Sequence, residues 1–308
     1  MSDIATRAGY GETLVELAAE GVDVMAVEAD LSGSTTTKKL GEAYPERLVN
    51  VGIAEQNMID VAAGLSLAGK VAFTGSFAAF GTGRCYDQIR NTVCYANLDV
   101  KVAPTHSGVT VGPDGGSHQM LEDISLMREL PGMNVLVPAD YWAAKQAIRI
   151  AAATPGPFYV RLGRAKVPEV YDAQTTLELG KSYVLSEGTD VTVIAAGVEV
   201  AQALEAKELL AAEGISAEVV DAFSIKPFDK ETLLASVKKT GCVVTCEEHS
   251  IIGGLGEAVA AVLGEQCPIP MRRVGVKDVF GHSGPAWELL EQFGLRSDAI
   301  IAAVKELV

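Results

Sequence analysis

Short apolar segments rich in β-branched residues alternate with longer segments rich in Ala, Leu and Glu along almost the whole chain. A helical pattern over residues 9–21, for example, ends at a glycine, and the strand-like sequence VDVMAVEAD follows at once. Because parallel strands must be joined by crossover connections, this alternation is typical of parallel sheets whose strands are linked by helices. The sequence therefore predicts an α/β fold built from doubly wound sheets.

Two such series of strands and helices follow one another. The chain has 308 residues, which is long for one domain and comfortable for two. Between the two series, Pro168, several turn residues and short apolar pieces occur without a clear period. We therefore predict a first domain at residues 1–165, a linker at 166–188 and a second domain at 189–308.

Composition and charge exclude several classes of protein. The net charge of −15 would be repelled by nucleic acid or an anionic membrane surface, so neither is an expected partner. No apolar run is long enough to span a membrane, and the first residues lack a signal-peptide pattern, so we expect a soluble, cytoplasmic protein. The five cysteines include no CxxC pair, which suggests neither a disulfide framework nor a metal site. Because the chain is acidic overall, any anionic substrate must bind at a local cluster of basic residues.

Two neighbouring segments carry a carboxylate and an aromatic pair. In the segment 49–69, a strand leads Glu55 into the first turn of a helix, where a glutamate often only complements the helix dipole. Phe77 and Phe80 stand three residues apart and can form one aromatic wall. Such a pair belongs to the core more often than to a binding site. Neither segment identifies a function by itself.

A glycine-rich loop at residues 105–123 is the third notable segment. It carries His106, Asp114 and His118 in a polar stretch between a strand and a helix. Loops held in this way by a rigid scaffold are where catalytic side chains collect. The loop therefore predicts a site.

Taken together, these three segments resemble the pyrimidine-binding domain of transketolases and of deoxyxylulose-phosphate synthase, and the resemblance spans nearly the whole chain. It implies a pyrimidine-binding domain followed by a transketolase C-terminal-like domain. It also implies that thiamine diphosphate is bound at its pyrimidine end, with Glu55 on the aminopyrimidine ring and Phe77 and Phe80 stacked against it. A carboxyl group shielded from water has a raised pKa and can relay a proton with the ring. The sequence after Phe80, GTGRCY, is slightly longer than in the relatives, and Tyr86 is one candidate to complete the pocket.

The resemblance also implies substrate contacts. His118 corresponds to a catalytic histidine beside the donor carbonyl, and Asp114 to an aspartate that contacts a substrate hydroxyl. The residues that correspond to those holding the sugar phosphate are Arg7, Ser34, His106 and Arg161. Arginine suits this task because its planar fork gives paired, charged hydrogen bonds to phosphate oxygens.

The GDG segment with which this family holds its metal and diphosphate is missing from the chain. Its nearest approach, PDGG at 113–116, already belongs to the substrate loop. The resemblance therefore implies a partner, an N-terminal transketolase subunit that supplies Mg²⁺ or Ca²⁺ and the diphosphate site, in an α2β2 heterotetramer. A transketolase in one chain would be about twice as long.

Several functions remain open at this point. The leading one is the smaller subunit of a split transketolase that moves a two-carbon ketol unit between phosphosugars, as in the pentose phosphate pathway. The alternatives are the β chain of a 2-oxoacid dehydrogenase first component and a deoxyxylulose-phosphate synthase-like enzyme. A regulatory homologue without catalysis is the alternative from another class.

Overall fold

Two mostly parallel β-sheets flanked by helices, with a small antiparallel sheet of two strands near the start of the chain, make up the computed structural model, which describes residues 3–308. The predicted α/β fold class is thereby confirmed. Within residues 3–308, no helix combines the length and the apolar character needed to cross a membrane.

The first half of the chain supplies most of one sheet and the helices around it. Its strands are β1 (Ile4–Ala5), β2 (Val24–Glu28), β3 (Leu48–Asn50), β4 (Val71–Gly75), β5 (Val100–Val102), β6 (Asn134–Leu136), β7 (Phe158–Val160) and β8 (Lys166–Val167). Its helices are α1 (Thr6–Ala19), α2 (Ser32–Thr35), α3 (Lys38–Ala43), α4 (Glu55–Leu67), α5 (Tyr86–Gln88), α6 (Asp123–Glu129) and α7 (Tyr141–Ala153). Single 3-10 turns lie at Pro45–Arg47 and Val109–Val111, and π-helical turns at Ala79–Gly83 and Ile89–Cys94.

The second half forms the other sheet and its helices. Its strands are β9 (Tyr183–Ser186), β10 (Val191–Ala196), β11 (Ala217–Asp221), β12 (Ser224–Lys226), β13 (Val243–Ser250) and β14 (Met271–Val276). Its helices are α8 (Glu199–Ala212), α9 (Lys230–Thr240), α10 (Leu255–Gln266), α11 (Ala286–Gln292) and α12 (Ser297–Lys305).

Strand order shows how the two halves are joined. The first sheet has the order β12-β6-β7-β5-β4-β2-β3, and all its pairs are parallel except β12 with β6. The second sheet has the order β14-β13-β10-β11-β9, with only β9 antiparallel to its neighbour. Thus β12 comes from the predicted second domain but extends the first sheet, and β9 lies in the predicted linker. The domain boundaries themselves stay a prediction.

Both sheets have a point where the strand order reverses. The chain places β3 on one side of β2 and β4 on the other, and it likewise places β11 and β13 on opposite sides of β10. Such reversals open a crevice at the carboxyl ends of the strands, where α/β proteins bind their ligands. We call the carboxyl edge between β2 and β4 the first crevice, and that between β10 and β13 the second crevice.

Local sequence explains the elements that build this frame. The six residues of β10 are all buried and apolar or β-branched, as expected for a parallel strand covered on both faces. Helix α7 begins at Asp140, whose side chain accepts a hydrogen bond from the Ala143 amide at 2.8 Å. One buried cluster contains Val135 of the first sheet together with Ile194 and Val220 of the second, so the two sheets share a continuous core.

Candidate active site

Glu55 is a buried carboxylate at the first residue of α4, near the carboxyl end of β3. Only 3% of its surface is exposed. Its Oε2 accepts a hydrogen bond from Arg84 Nη1 at 2.9 Å, and the helix N-terminus adds a favourable partial charge. The structure therefore places a buried carboxylate with a single arginine counter-ion at this edge of the sheet.

The two phenylalanines follow the carboxyl end of β4. Their ring centroids are 6.1 Å apart and the planes differ by 21°, so the rings are nearly parallel. Phe77 is buried and stacks on the His106 ring at 3.8 Å, whereas Phe80 is half-buried. The His118 ring meets Phe80 edge-on at 5.2 Å. Two phenylalanines and two histidines thus form one continuous group of rings.

His106 is held in an unusual backbone conformation just past β5. Its φ of 64° lies in the left-handed region, which residues other than glycine rarely adopt. Its Nδ1 is 2.7 Å from the Thr105 hydroxyl oxygen. Burial, and then the nearby charges of Arg7 and Arg164, lower the pKa of the His106 imidazole to about 3. The ring is therefore neutral at physiological pH and can act as a hydrogen-bond partner but not as a cation.

Arg7 and Arg164 form the basic cluster that the acidic composition requires for an anionic substrate. Arg7 Nη1 donates to the Ser34 carbonyl at 2.8 Å, and Arg164 Nη1 donates to the Val111 carbonyl at 2.5 Å. Burial and the charge of Arg164 lower the pKa of the Arg7 guanidinium, which shows that the two positive charges are close. Neighbouring guanidinium groups paired with carbonyls, and half-buried, favour an incoming anion.

Arg161 is not brought into this cluster. Its Nε and Nη2 donate to the two carboxylate oxygens of Asp123 at 2.7 and 3.2 Å, and Nη2 also donates to the Glu248 carbonyl at 3.0 Å. Burial opposes its charge, yet Asp123 raises the pKa of the guanidinium. Sequence reasoning named Arg161 as a phosphate ligand and did not name Arg164. The two arginines differ in their backbone: the Arg161 amide donates to the Leu136 carbonyl in the sheet at 2.9 Å, whereas Arg164 lies beyond the strand.

The remaining predicted substrate residues lie on loops at the same edge. His118 is half-buried, with Nδ1 2.9 Å from the Ser117 hydroxyl oxygen, and Asp114 is exposed. The Ser34 carbonyl accepts a hydrogen bond from Arg7. The contacts between these residues and a substrate, and that of Arg161 with phosphate, stay predictions.

The sequence after Phe80 forms π-helical turns. A π-turn accommodates an extra residue within a helix and occurs frequently at functional sites. The extra length of GTGRCY relative to the family stays a prediction. Tyr86 packs against the core of the first half, while Arg84 lies over the Phe80 ring with 4.4 Å between its Cζ and the ring centroid. Arg84, rather than an aromatic residue, is therefore the neighbour of Phe80 on this segment.

No group of three or more His, Cys, Asp or Glu side chains suited to hold a metal ion occurs within the described part of the chain, residues 3–308. The chemistry that the edge offers is a buried carboxylate, an aromatic surface, a half-buried histidine and a pair of cations.

Comparison with known proteins accounts for this combination. A family model described as the transketolase pyrimidine-binding domain matches residues 2–169, and one described as the transketolase C-terminal domain matches residues 180–300. The chain belongs to the transketolase family. It corresponds to the C-terminal part of that enzyme, as the sequence motifs predicted.

Relatives of this transketolase chain include proteins of the same length. It is 48% identical to a putative transketolase C-terminal section of Methanocaldococcus jannaschii, over 97% of this chain and 95% of the relative. It is 44% identical to the 6-deoxy-6-sulfo-D-fructose transketolase subunit SqwH of a Clostridium species, over 98% and 94% of the two chains. A solved split-gene transketolase, described as an inactive β4 tetramer, superimposes with a TM-score of 0.92 at 50% identity, over 99% of this chain and 98% of that one.

Proposed function

We propose that this chain is the smaller subunit of a two-chain, thiamine diphosphate-dependent transketolase that transfers a two-carbon ketol unit between phosphosugars. The observation that carries the proposal is that Glu55, the Phe77–Phe80 pair and Arg164 follow the parallel strands β3, β4 and β7 of the first sheet. Arg7, at the start of α1, bonds the Ser34 carbonyl beyond β2. This edge of the sheet combines a carboxylate for proton transfer with two arginines that can bind an anion, and the proposed reaction requires both.

The residues fit the pyrimidine end of the cofactor. Glu55 offers a carboxylate shielded from water, and the half-buried Phe80 offers an aromatic face beside it. When bound, thiamine diphosphate supplies the carbon that attacks and carries the ketol group. Glu55 would hold the ring and exchange a proton with it, while the histidine rings stacked near Phe77 and Phe80 exclude water.

The substrate would lie between the ring group and the basic cluster. His118, which meets the edge of Phe80, would donate or accept a hydrogen bond at the substrate oxygen nearest the reacting carbon. Arg7 and Arg164 would bind a terminal anion, and the neutral His106 would hydrogen-bond it. A sulfonate is a tetrahedral anion like a phosphate, with a single negative charge, and one relative is a 6-deoxy-6-sulfo-D-fructose transketolase subunit. A sulfonated sugar is therefore the second candidate substrate.

A partner completes the enzyme in this proposal. The chain lacks the segment with which its family holds the metal and diphosphate, so an N-terminal subunit would supply Mg²⁺ or Ca²⁺ and form an α2β2 heterotetramer. A related split-gene structure described as an inactive β4 tetramer supports the need for this partner. The cytoplasmic location remains a prediction from the sequence.

The test is ketol transfer by the purified chain with and without an N-terminal transketolase subunit. We expect no turnover by the chain alone, even with excess thiamine diphosphate and magnesium, and robust turnover by the two-chain complex. Phosphorylated, sulfonated and uncharged ketoses are compared as donors in parallel. Turnover by the pure single chain, or a complex active only on 2-oxoacids, would contradict the proposal.

A further inference from the structure

Arg84 makes two contacts with the groups to which the cofactor ring is assigned. Its Nη1 lies 2.9 Å from Glu55 Oε2, and its Cζ lies 4.4 Å from the centroid of the Phe80 ring. It follows directly after the π-turn Ala79–Gly83. One guanidinium therefore contacts both groups that an aminopyrimidine ring would need, the carboxylate and an aromatic face.

Arg84 and the proposed cofactor ring need the same group, the Glu55 carboxylate. Its Oε2 already accepts a hydrogen bond from the Arg84 guanidinium. The relay proposed above requires Glu55 to take up and release a proton at the ring. A cation at the same carboxylate would compete with the ring for its oxygens. The contact suits the cofactor-free subunit but not the loaded one.

We propose that Arg84 is an exchangeable counter-ion that occupies the aminopyrimidine position at Glu55 and Phe80 and is displaced when thiamine diphosphate binds. This inference rests on the proposed function. Without the cofactor, Arg84 keeps a buried carboxylate paired. When the ring arrives, the guanidinium turns away and leaves Glu55 to the ring.

The surroundings of Arg84 allow this exchange. Its side chain is 47% exposed, so it can turn toward solvent without any change in the core. Its backbone is anchored separately, because Gln56 Nε2 donates to the Arg84 carbonyl at 3.3 Å. Half-exposed ion pairs and cation–π contacts are weak enough to be given up to a tighter ligand. The side chain can move while the π-turn stays in place.

The test measures cofactor binding rather than turnover. Thiamine diphosphate with magnesium is titrated calorimetrically into the two-chain enzyme carrying wild-type, Arg84→Ala or Arg84→Gln subunits. We expect both variants to bind the cofactor more tightly, by roughly five- to thirtyfold, because a competing contact has been removed. Binding of inorganic pyrophosphate, which lacks the ring, should be the same in all three. Circular dichroism and thermal unfolding establish that the variants are folded.

Arg90→Ala is the matched control, since Arg90 is an exposed arginine in the following π-turn whose side chain donates to the neighbouring Asn91. It should leave both affinities unchanged. Equal thiamine diphosphate affinity in wild type and both Arg84 variants would overturn the inference while leaving the proposed function intact. Weaker binding by the variants would overturn it too, because Arg84 would then hold the cofactor. If the wild-type complex bound pyrophosphate but showed no preference for thiamine diphosphate, the proposed function itself would be wrong.

Discussion

The first and second crevices each lie where the strand order of a sheet reverses, yet different groups of residues occupy them. The first crevice is bordered by side chains that remain partly accessible, such as Phe80 and His118. The second is occupied by the glycine-rich loop at residues 105–123, because Glu248 Oε1 accepts a hydrogen bond from the Thr110 amide at 2.5 Å. Gly108, with φ of 75°, lies so close that an added Cβ would be 2.3 Å from the Glu248 carboxyl carbon.

The comparison shows that a ligand-binding crevice can be used to hold a loop instead. Further contacts join the same partners: Gln119 Nε2 donates to the His282 carbonyl at 3.0 Å, and the Ser250 amide donates to the Leu121 carbonyl at 2.7 Å. The second half thus positions the loop that carries His106 and His118. Changes in the first crevice should alter chemistry, and changes in the second should act through loop position or stability.

The sharpest test of the first crevice is Glu55→Gln. The amide cannot relay a proton, so we expect turnover of the two-chain enzyme to fall by about a hundredfold or more while folding is retained. Steady-state kinetics and thermal unfolding measure the two effects. Asp60→Asn, an exposed change on the same helix, is the control and should be neutral. Retention of more than about a tenth of the activity, a loss under about 1.4 kcal/mol, would show that Glu55 has another role.

The next largest effect is expected at the basic cluster. Arg164→Ala should raise KM for phosphorylated sugars by roughly ten- to a hundredfold, and barely affect uncharged analogues, since a charged hydrogen bond contributes about 1.5–3 kcal/mol. Arg161→Ala should instead destabilise the fold, because it leaves Asp123 buried without its partner. Kinetics on both substrate types, with urea unfolding, separate the two arginines. A phosphate-specific loss in Arg161→Ala alone would reverse the assignment.

In the second crevice, Glu248→Ala should lower kcat/KM by about tenfold and stability by about 1–3 kcal/mol, because the buried Thr110 amide loses its acceptor. Glu248→Gln keeps an acceptor oxygen of similar reach and should stay within about threefold of wild type. Kinetics and urea unfolding of both variants provide the measurement. If Glu248→Ala lost stability yet kept full kcat and KM, the loop would be positioned without the second half.

The smallest effect on activity is expected for Glu199→Gln. Neither carboxylate oxygen of this buried residue has a hydrogen-bond partner among residues 3–308, and burial, with Glu248 and Glu247 nearby, raises the pKa of Glu199 well above its ordinary 4.5. Above pH 4.5 the unfolded chain loses a proton that the folded chain keeps. The free energy of unfolding therefore falls as pH rises, by up to about 1.4 kcal/mol per unit.

The glutamine variant has no such proton, so its stability relative to wild type should increase from pH 5 to pH 8, with turnover unchanged. Urea unfolding across this range measures the difference. Glu205→Gln, an exposed change on the same helix, should show no trend. A constant difference between Glu199→Gln and wild type would mean that Glu199 is ionised in the folded chain.

The sequence predicted what depends on local order. Glu55, the phenylalanine pair and the histidine loop stand at strand ends in an ordered set, so the alternating pattern brings them to one edge of a sheet. The sequence named Arg161 and not Arg164, because a strand of three residues leaves its end uncertain and the backbone hydrogen bond between Arg161 and Leu136 cannot be read from the sequence. Arg84 gave no signal, since its contact with Glu55 spans 29 positions.

The second crevice could not be predicted, because its chemistry consists of contacts between distant parts of the chain. Glu248 lies in a buried strand and contacts Thr110, 138 positions away. Glu199 looks like an ordinary first-turn glutamate on a helix, and only its burial shows otherwise. The strand β12 is three residues long and carries no pattern that would assign it to the first sheet.

The position of β12 limits where a gene for this chain could be divided. The matches to the two family domains suggest a boundary near residues 169–180, but a break there would leave the first sheet without its edge strand and expose β6 for pairing with other molecules. Lys226 would be lost as well, and its Nζ donates to the carbonyls of Arg128 and Leu130 at the end of α6. Fragments cut between the domains would therefore have to find each other before either could fold fully.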